Sequence, residues 1–376
     1  MSRYLAVLAS VLAVAVVSPA VAQGPITARS AVMFESYKFD PGLVFNKVVE
    51  LTVPIGLGAR LGNFGSVALS SGYAKVDLTS ADPSQLPSQT ISGLLDTEAR
   101  LSINLVPGKL LLLMSGAVPT GTKTVQQEQL AILGALSSDV IGFSAANLGT
   151  GGNVGGGFAG AIPVGRFAVG FGATYRLPLT YQPVIGQTRD LKPGAEIRVR
   201  GGLEGALARR TYLRMAGIYA RTSKDQVNAA TVNGIGNRII GYISLNQTVG
   251  STTLTLYGFD VFRGSPQIEA TATGAALLPR GNLLAGGFRA DVGVGRTVTL
   301  SPRVEYRTSS AAPDPLASAL EFLGRSFRAG VDARFALSRS VAAVIQAGGA
   351  FGTFARGPTD VPFNGYRGGV HLEITP

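Results

Sequence analysis

Residues 282–307 read NLLAGGFRADVGVGRTVTLSPRVEYR. Leu284, Phe288, Ala290, Val292 and Val294 alternate with Ala285, Gly287, Arg289, Asp291 and Gly293. A break follows at Gly295-Arg296-Thr297. Then Val298, Leu300, Pro302, Val304 and Tyr306 alternate with Thr299, Ser301, Arg303, Glu305 and Arg307. Successive side chains on a strand point to opposite faces. The stretch is therefore a hairpin with one apolar face and one face of arginines, carboxylates and small residues.

The unit recurs along the chain. Strands are predicted near 30–39, 47–60, 64–79, 94–106, 109–118, 153–162, 166–177, 194–208, 211–222, 237–248, 252–262, 282–294, 298–308, 325–337, 341–354 and 364–375. Most are well beyond the ~5–6 residues of a soluble strand and match the ~9–11 that cross a bilayer. Short turns are predicted at Leu61 to Phe64, Pro107 to Lys109, Pro163 to Gly165, Arg209-Arg210, Val249 to Ser251, Gly295 to Thr297 and Ser338 to Ser340. They alternate with long connections: Asp40 to Asn46, Ser80 to Gly93, Pro119 to Gly152, Pro178 to Pro193, Thr222 to Gly236, Gly264 to Gly281, Ser309 to Leu323 and Arg356 to Phe363. Short turns on one side and long loops on the other are the pattern of a transmembrane antiparallel β-barrel. The expected fold is all-β, with 16 strands and both termini on the short-turn side.

The first residues support export. Arg3 is a small charged region, Tyr4 to Val17 is apolar, and Ala20-Val21-Ala22 is a small-x-small cleavage site. The apolar run is shorter than the ~20 residues of a spanning helix. Residues 1–22 are expected to be a signal peptide, and residues 23–376 the barrel. The chain has no cysteine, which excludes a disulfide framework and thiolate metal sites. Formal net charge is +11. The arginines are scattered singly at alternating positions, unlike the basic stretch of a nucleic-acid binder. No cofactor and no nucleic-acid partner are expected. The expected partners are outer-membrane lipid, the barrel-assembly machinery and small solutes; oligomeric state is not legible. A soluble β-sandwich is the alternative. It fits less well, because the second face is largely small residues, such as Gly155, Gly157, Ala159 and Ala161.

Several features disturb the pattern. Pro54 and Pro302 fall within strands, where each removes a ladder hydrogen bond. Leu110 to Met114 is apolar on both faces, which favours something packing on it from inside. Around Gly258 the alternation slips, and a β-bulge is expected to move Phe259 and Val261 to the other face. Glu35 and Lys38 make the first strand the least regular.

On these features the chain resembles Gram-negative outer-membrane channels of the general-porin or FadL-like type. The last strand is similar to their assembly signal, with Arg367, Gly369, Leu372 and Ile374 on its positions. The usual terminal aromatic is replaced by Thr375-Pro376. In general porins the loop between the fifth and sixth strands folds into the pore. Residues 119–152 hold that place, with a helix predicted over Val125 to Leu136 that carries Leu130, Leu133 and Leu136 on one side. A surface lid and an inward constriction are equal readings of this loop. A FadL-like protein would instead use Gln23 to Asn46 as a hatch, leaving 14 strands. The functions implied are passive diffusion of small solutes, uptake of hydrophobic compounds, or a closed structural or adhesive barrel.

No enzyme is expected. His371 is the sole histidine, it lies near the periplasmic end, and no second catalytic group is placed beside it. The informative residues are the charges phased to the lumen. They include Glu98, Arg100, Arg176, Glu196, Arg198, Arg200, Glu204 and Arg214 in the first half, and Arg289, Asp291, Arg303, Glu305, Arg307, Arg328, Asp332, Arg334, Arg367 and Glu373 in the second. Such rows either tune a pore or brace its wall. Arg289 and Arg303, near mid-height, are expected to favour anions.

Overall fold

The computed structural model describes residues 26–269, 278–314, 317, 319–356 and 359–375. The signal-peptide expectation lies outside them. The barrel strands are Ile26–Phe39 (β1), Phe45–Leu61 (β2), Gly65–Ser80 (β3), the two-part Gln89–Leu94 and Thr97–Val106 (β4), Leu110–Val118 (β5), Asn153–Val164 (β6), Phe167–Pro178 (β7) and Glu196–Ala208 (β8). They continue with Thr211–Thr222 (β9), Arg238–Val249 (β10), Thr252–Arg263 (β11), Gly281–Val294 (β12), Val298–Ala311 (β13), Glu321–Ala336 (β14), Val341–Arg356 (β15) and Thr359–Ile374 (β16). Each is antiparallel to the next, and β1 closes on β16 from Ala28↔Ile374 to Phe39↔Phe363. The result is a closed 16-strand barrel. Because Ile26–Phe39 pairs with both β2 and β16, it is wall. The 14-strand arrangement with an N-terminal hatch does not occur.

Closure removes every sheet edge, so each wall strand finds its backbone partners within the protein. The turns are encoded by glycine where the chain reverses tightly. Gly108 and Gly295 have φ of 71° in both turns, a conformation that costs a residue with Cβ but not glycine. The prolines behave as their missing N–H requires. The β1–β2 ladder skips Val53-Pro54, and the β12–β13 ladder skips Ser301-Pro302, while each proline stays paired on its other side.

Facing follows from the register. Leu284, Phe288, Leu300, Val304 and Tyr306 are exposed on the outer surface. Three expectations are corrected. There is no bulge at Gly258: β11 keeps unbroken register with both neighbours. Phe259 and Val261 therefore face inward by ordinary alternation, and Asp260 faces out. Within the connection expected over Arg356 to Phe363, Arg356 ends β15, Thr359 already begins β16, and the two pair; the alternation of long and short links fails there. The helix α1 covers only Leu130–Leu136, and it buries Ile132, Ala135 and Leu136 while Leu130 is exposed.

The outer face makes a stability prediction. Phe288 sits midway along β12, and an arginine there would meet hydrocarbon. Phe288→Arg is expected to cost about 2–4 kcal/mol in denaturant unfolding from lipid vesicles. Gly287, its inward neighbour, reads from sequence as a tolerant control, but it is not one. A Cβ there would lie 2.5 Å from the Tyr257 ring and 2.7 Å from the Val304 carbonyl oxygen. The proper control is Gly293, where the nearest atom would be 3.8 Å away. Gly293→Ser is expected to stay within about 0.5 kcal/mol of wild type. Equal losses at 288 and 293 would mean the facing is wrong.

Candidate functional site

Polar side chains converge in the barrel interior, and one loop divides that interior. Residues 119–152 leave β5 and return to β6 between strands that are already paired at Ala117↔Asn153. The loop therefore carries no duty in closing the wall. Its apolar residues Ile132, Leu136, Val140, Ile141, Phe143 and Leu148 are buried in one cluster with Tyr37, Phe39, Val48, Val76, Leu78 and Phe363. Those partners sit on the inner faces of β1, β2, β3 and β16. The loop's apolar residues thus pack against the inner side of the wall. The partner wall is unexpected: the loop packs on the β1–β3 and β16 side, while Leu113 of the apolar run on β5 lines open space.

Polar contacts fix the loop. Glu35 and Glu50 face each other across the β1–β2 ladder, each only 1% exposed. Ser144 Oγ and, at 3.0 Å, Tyr37 Oη donate to Glu35. The Ala145 N–H donates to Glu50 at 2.8 Å, and Thr52 Oγ1 donates to the same carboxylate. Asp96, in the break of β4, accepts from the N–H of Gly121 at 3.0 Å and of Thr150 at 2.7 Å. Ser326 Oγ donates to the Val140 carbonyl at 2.7 Å. Of the two buried carboxylates the sequence pattern marks only Glu35, as a blemish in alternation; nothing in it marks Glu50. Their service as acceptors for a loop more than ninety residues away in sequence carries no local signal.

The lumen-phased charges all lie on the inner face, most in pairs. Arg100 pairs with Glu98 at 3.0 Å, Arg198 with Glu196 at 2.6 Å, and Arg214 with Glu204 at 2.9 Å. Arg238, not among the expected residues, also reaches Glu196. Arg289 pairs with Asp291 at 2.7 Å, Arg303 with Asp332 at 3.5 Å, Arg307 with Glu305 at 2.6 Å, and Arg334 with Glu373 at 3.7 Å. Four of these pairs are two residues apart on one strand, where side chains share a face. Arg176, Arg200, Arg328 and Arg367 make no hydrogen bond or ion pair among the described residues. His371 Nε2 lies 3.0 Å from Gln346 Oε1.

Two cavities flank the loop. One, of about 240 Å³, lies between Gly142–Ser144 and the β11–β16 wall. The larger, of about 770 Å³, lies between loop residues 144–150 and the β4–β8 wall, where Glu98, Arg100, Arg176, Glu196, Arg198 and Arg200 line it. At the short-turn end a third, of about 420 Å³, collects Arg289, Asp291, Asp332, Arg334 and His371. Arg367 and Gly369 face inward on β16, and Leu372 and Ile374 face out. Among the described residues no group of three or more potential metal ligands occurs.

A closed antiparallel barrel, apolar outside and lined inside by paired charges, defines a transmembrane β-barrel. No protein-family model and no curated protein matches the chain. Among solved structures it is similar to a bacterial polysaccharide outer membrane secretin, at 9% identity over 93% of this chain and 98% of that one, with TM-score 0.47. It is also similar to Pseudomonas aeruginosa OpdQ, at 10% identity over 93% and 99%, TM-score 0.44. A loop-deletion mutant of Vibrio cholerae OmpT aligns at 9% identity over 93% and 99%, TM-score 0.41. These are likenesses of architecture; the class of this protein follows from its own strand pairing and facing.

Proposed function

We propose that the protein is an outer-membrane channel for passive diffusion of small solutes, with residues 119–152 as its internal constriction. The observation that carries this reading is the 770 Å³ cavity left beside the docked loop, walled by exposed charges on β4–β8. A barrel serving only as scaffold or adhesin has no use for solvated arginines in its interior. A hydrophobe transporter would need an apolar lining and a wall opening; here the strands pair all round. Chemistry is not part of the reading. The wall charges orient a passing solute and set ion preference. Export follows from residues 1–22, and Arg367, Gly369, Leu372 and Ile374 serve recognition by the assembly machinery.

Purified protein in planar bilayers is expected to give discrete conductance steps in potassium chloride. Correctly folded, inserted protein that gives none would overturn the proposal. Orientation has its own test. The long connections are external in this reading, so protease is expected to cut between β13 and β14, within 312–320, and between β3 and β4, within 81–88, on intact cells. Cleavage that appears only after the outer membrane is ruptured would invert the topology.

A further inference from the structure

The smaller cavity is chemically unlike the larger one. Four guanidinium groups surround it, those of Arg303, Arg307, Arg328 and Arg367. Asp332 takes Arg303, and Glu305 takes both Arg307 and the Tyr257 hydroxyl, at 2.9 Å. Glu35, nearby, accepts from Tyr37 and Ser144. That leaves Arg328 and Arg367. Arg328 is only 7% exposed, and its Nε and Nη2 are buried with no hydrogen-bond partner.

A buried charge without a partner is costly, and proteins seldom keep one unless something else pairs with it. Arginine cannot escape by losing its proton. Gly142, at φ 58°, leaves room for this cluster: a Cβ there would fall within 2.2 Å of an Arg307 nitrogen and 3.6 Å of Arg328 Nη2.

We infer that this cavity is a binding site for a small organic carboxylate, held between the loop at Gly142–Ser144 and the wall arginines Arg328 and Arg367. The inference rests on the channel reading only in that the lumen gives the ligand access. A guanidinium edge and a carboxylate match geometrically and form charge-assisted hydrogen bonds. Two unpaired arginines favour a second carboxylate on the same molecule. The volume, about 240 Å³, lies below the ~300–1,000 Å³ of sites for drug-sized ligands. It therefore admits a short dicarboxylate and excludes larger solutes. Because loop and wall both line the cavity, an occupant also braces the constriction.

The test is calorimetric titration of the full-length barrel in detergent with succinate, using the neutral succinamide as control. Saturable binding of succinate and none of succinamide is expected. Arg328→Gln and, separately, Arg367→Gln are each expected to weaken it at least about ten-fold, the loss of one charged hydrogen bond. Arg296→Gln, on the exposed turn between β12 and β13, is expected to leave it unchanged. Heat-modifiable gel mobility checks that each variant is folded. If Arg328→Gln does not fold, Arg367→Gln decides. No succinate binding, equal binding of succinamide, or binding untouched by a folded arginine variant would overturn the site. Bilayer conductance is read on the same samples: steps without succinate binding refute the site and leave the channel standing, whereas binding without steps refutes the channel.

Discussion

Removing residues 126–148 will raise single-channel conductance several-fold. The barrel should survive the deletion, because β5 and β6 pair up to Ala117↔Asn153 without help from the loop. The loop itself is held mainly by apolar burial. Ile132, Leu136, Val140, Ile141, Phe143 and Leu148 are each buried against the wall cluster, at roughly 1.5–3 kcal/mol for a fully buried large side chain. A single hydrogen bond to a charged group contributes about 1.5–3 kcal/mol, no more than one of those six side chains. That comparison separates two experiments. Ser144→Ala deletes one donor to Glu35 and should leave the loop docked and conductance near wild type. The deletion removes the whole apolar face and should open the lumen along β1–β3, now lined by Tyr37, Val48, Val76, Leu78 and the freed carboxylates of Glu35 and Glu50. Step size in planar bilayers is the readout. A folded deletion variant with unchanged steps would show that the bore is set elsewhere.

The wall was legible in the sequence because its two faces meet opposite environments. In 282–307 every second residue answers to hydrocarbon and the rest to the lumen, so periodicity alone gives strand, length and facing. It failed where the lumen is not water. Tyr37, Phe39, Val48, Val76 and Leu78 face inward but are covered by the loop, so those strands carry apolar residues on both faces. Alternation cannot say what covers the inner one. Phe259 misled in the same way: its inward face carries the Arg307 guanidinium, 5.7 Å from the ring centre. An aromatic inside the barrel thus reads as a slip in phase. The loop contacts to Glu35 and Glu50 span more than ninety residues, and no local pattern announces them. The ion pairs were more accessible. Arg289 with Asp291 and Glu305 with Arg307 stand two apart on one face, a spacing that brings them together on any strand. Spacing of this kind distinguishes bracing charges from free ones. By it Arg176, Arg200, Arg328 and Arg367 have no acid two residues away on their strands; Arg214 has none either, but it finds Glu204 on the neighbouring strand.

The free arginines set the last prediction. Arg289 and Arg303, which the sequence favoured for selectivity, each have a carboxylate partner, so their fields are largely cancelled at the distance of a passing ion. Arg176 and Arg200 stand exposed on β7 and β8 in the larger cavity. Arg200 lies against Gly172, whose added Cβ would meet its Nε at 2.9 Å. Glu98 and Glu196 on the same wall are already engaged by arginines. An ion crossing there meets two uncompensated positive charges in a narrow space with low-dielectric walls, where fields are focused. A preference for anions is therefore expected. It should hold across neutral pH, because guanidinium does not titrate there. It should also strengthen as salt falls from 0.1 M to 0.01 M, where the screening length grows from about 10 Å to about 30 Å. Arg176→Ser with Arg200→Ser should move the reversal potential in a salt gradient toward cations, and should do so more than Arg289→Ser with Arg303→Ser. The second pair of substitutions leaves Asp291 and Asp332 unpaired, so its own effect should come with lost stability. A reversal potential unmoved by the first pair, at normal conductance, would place the ion path away from β7 and β8.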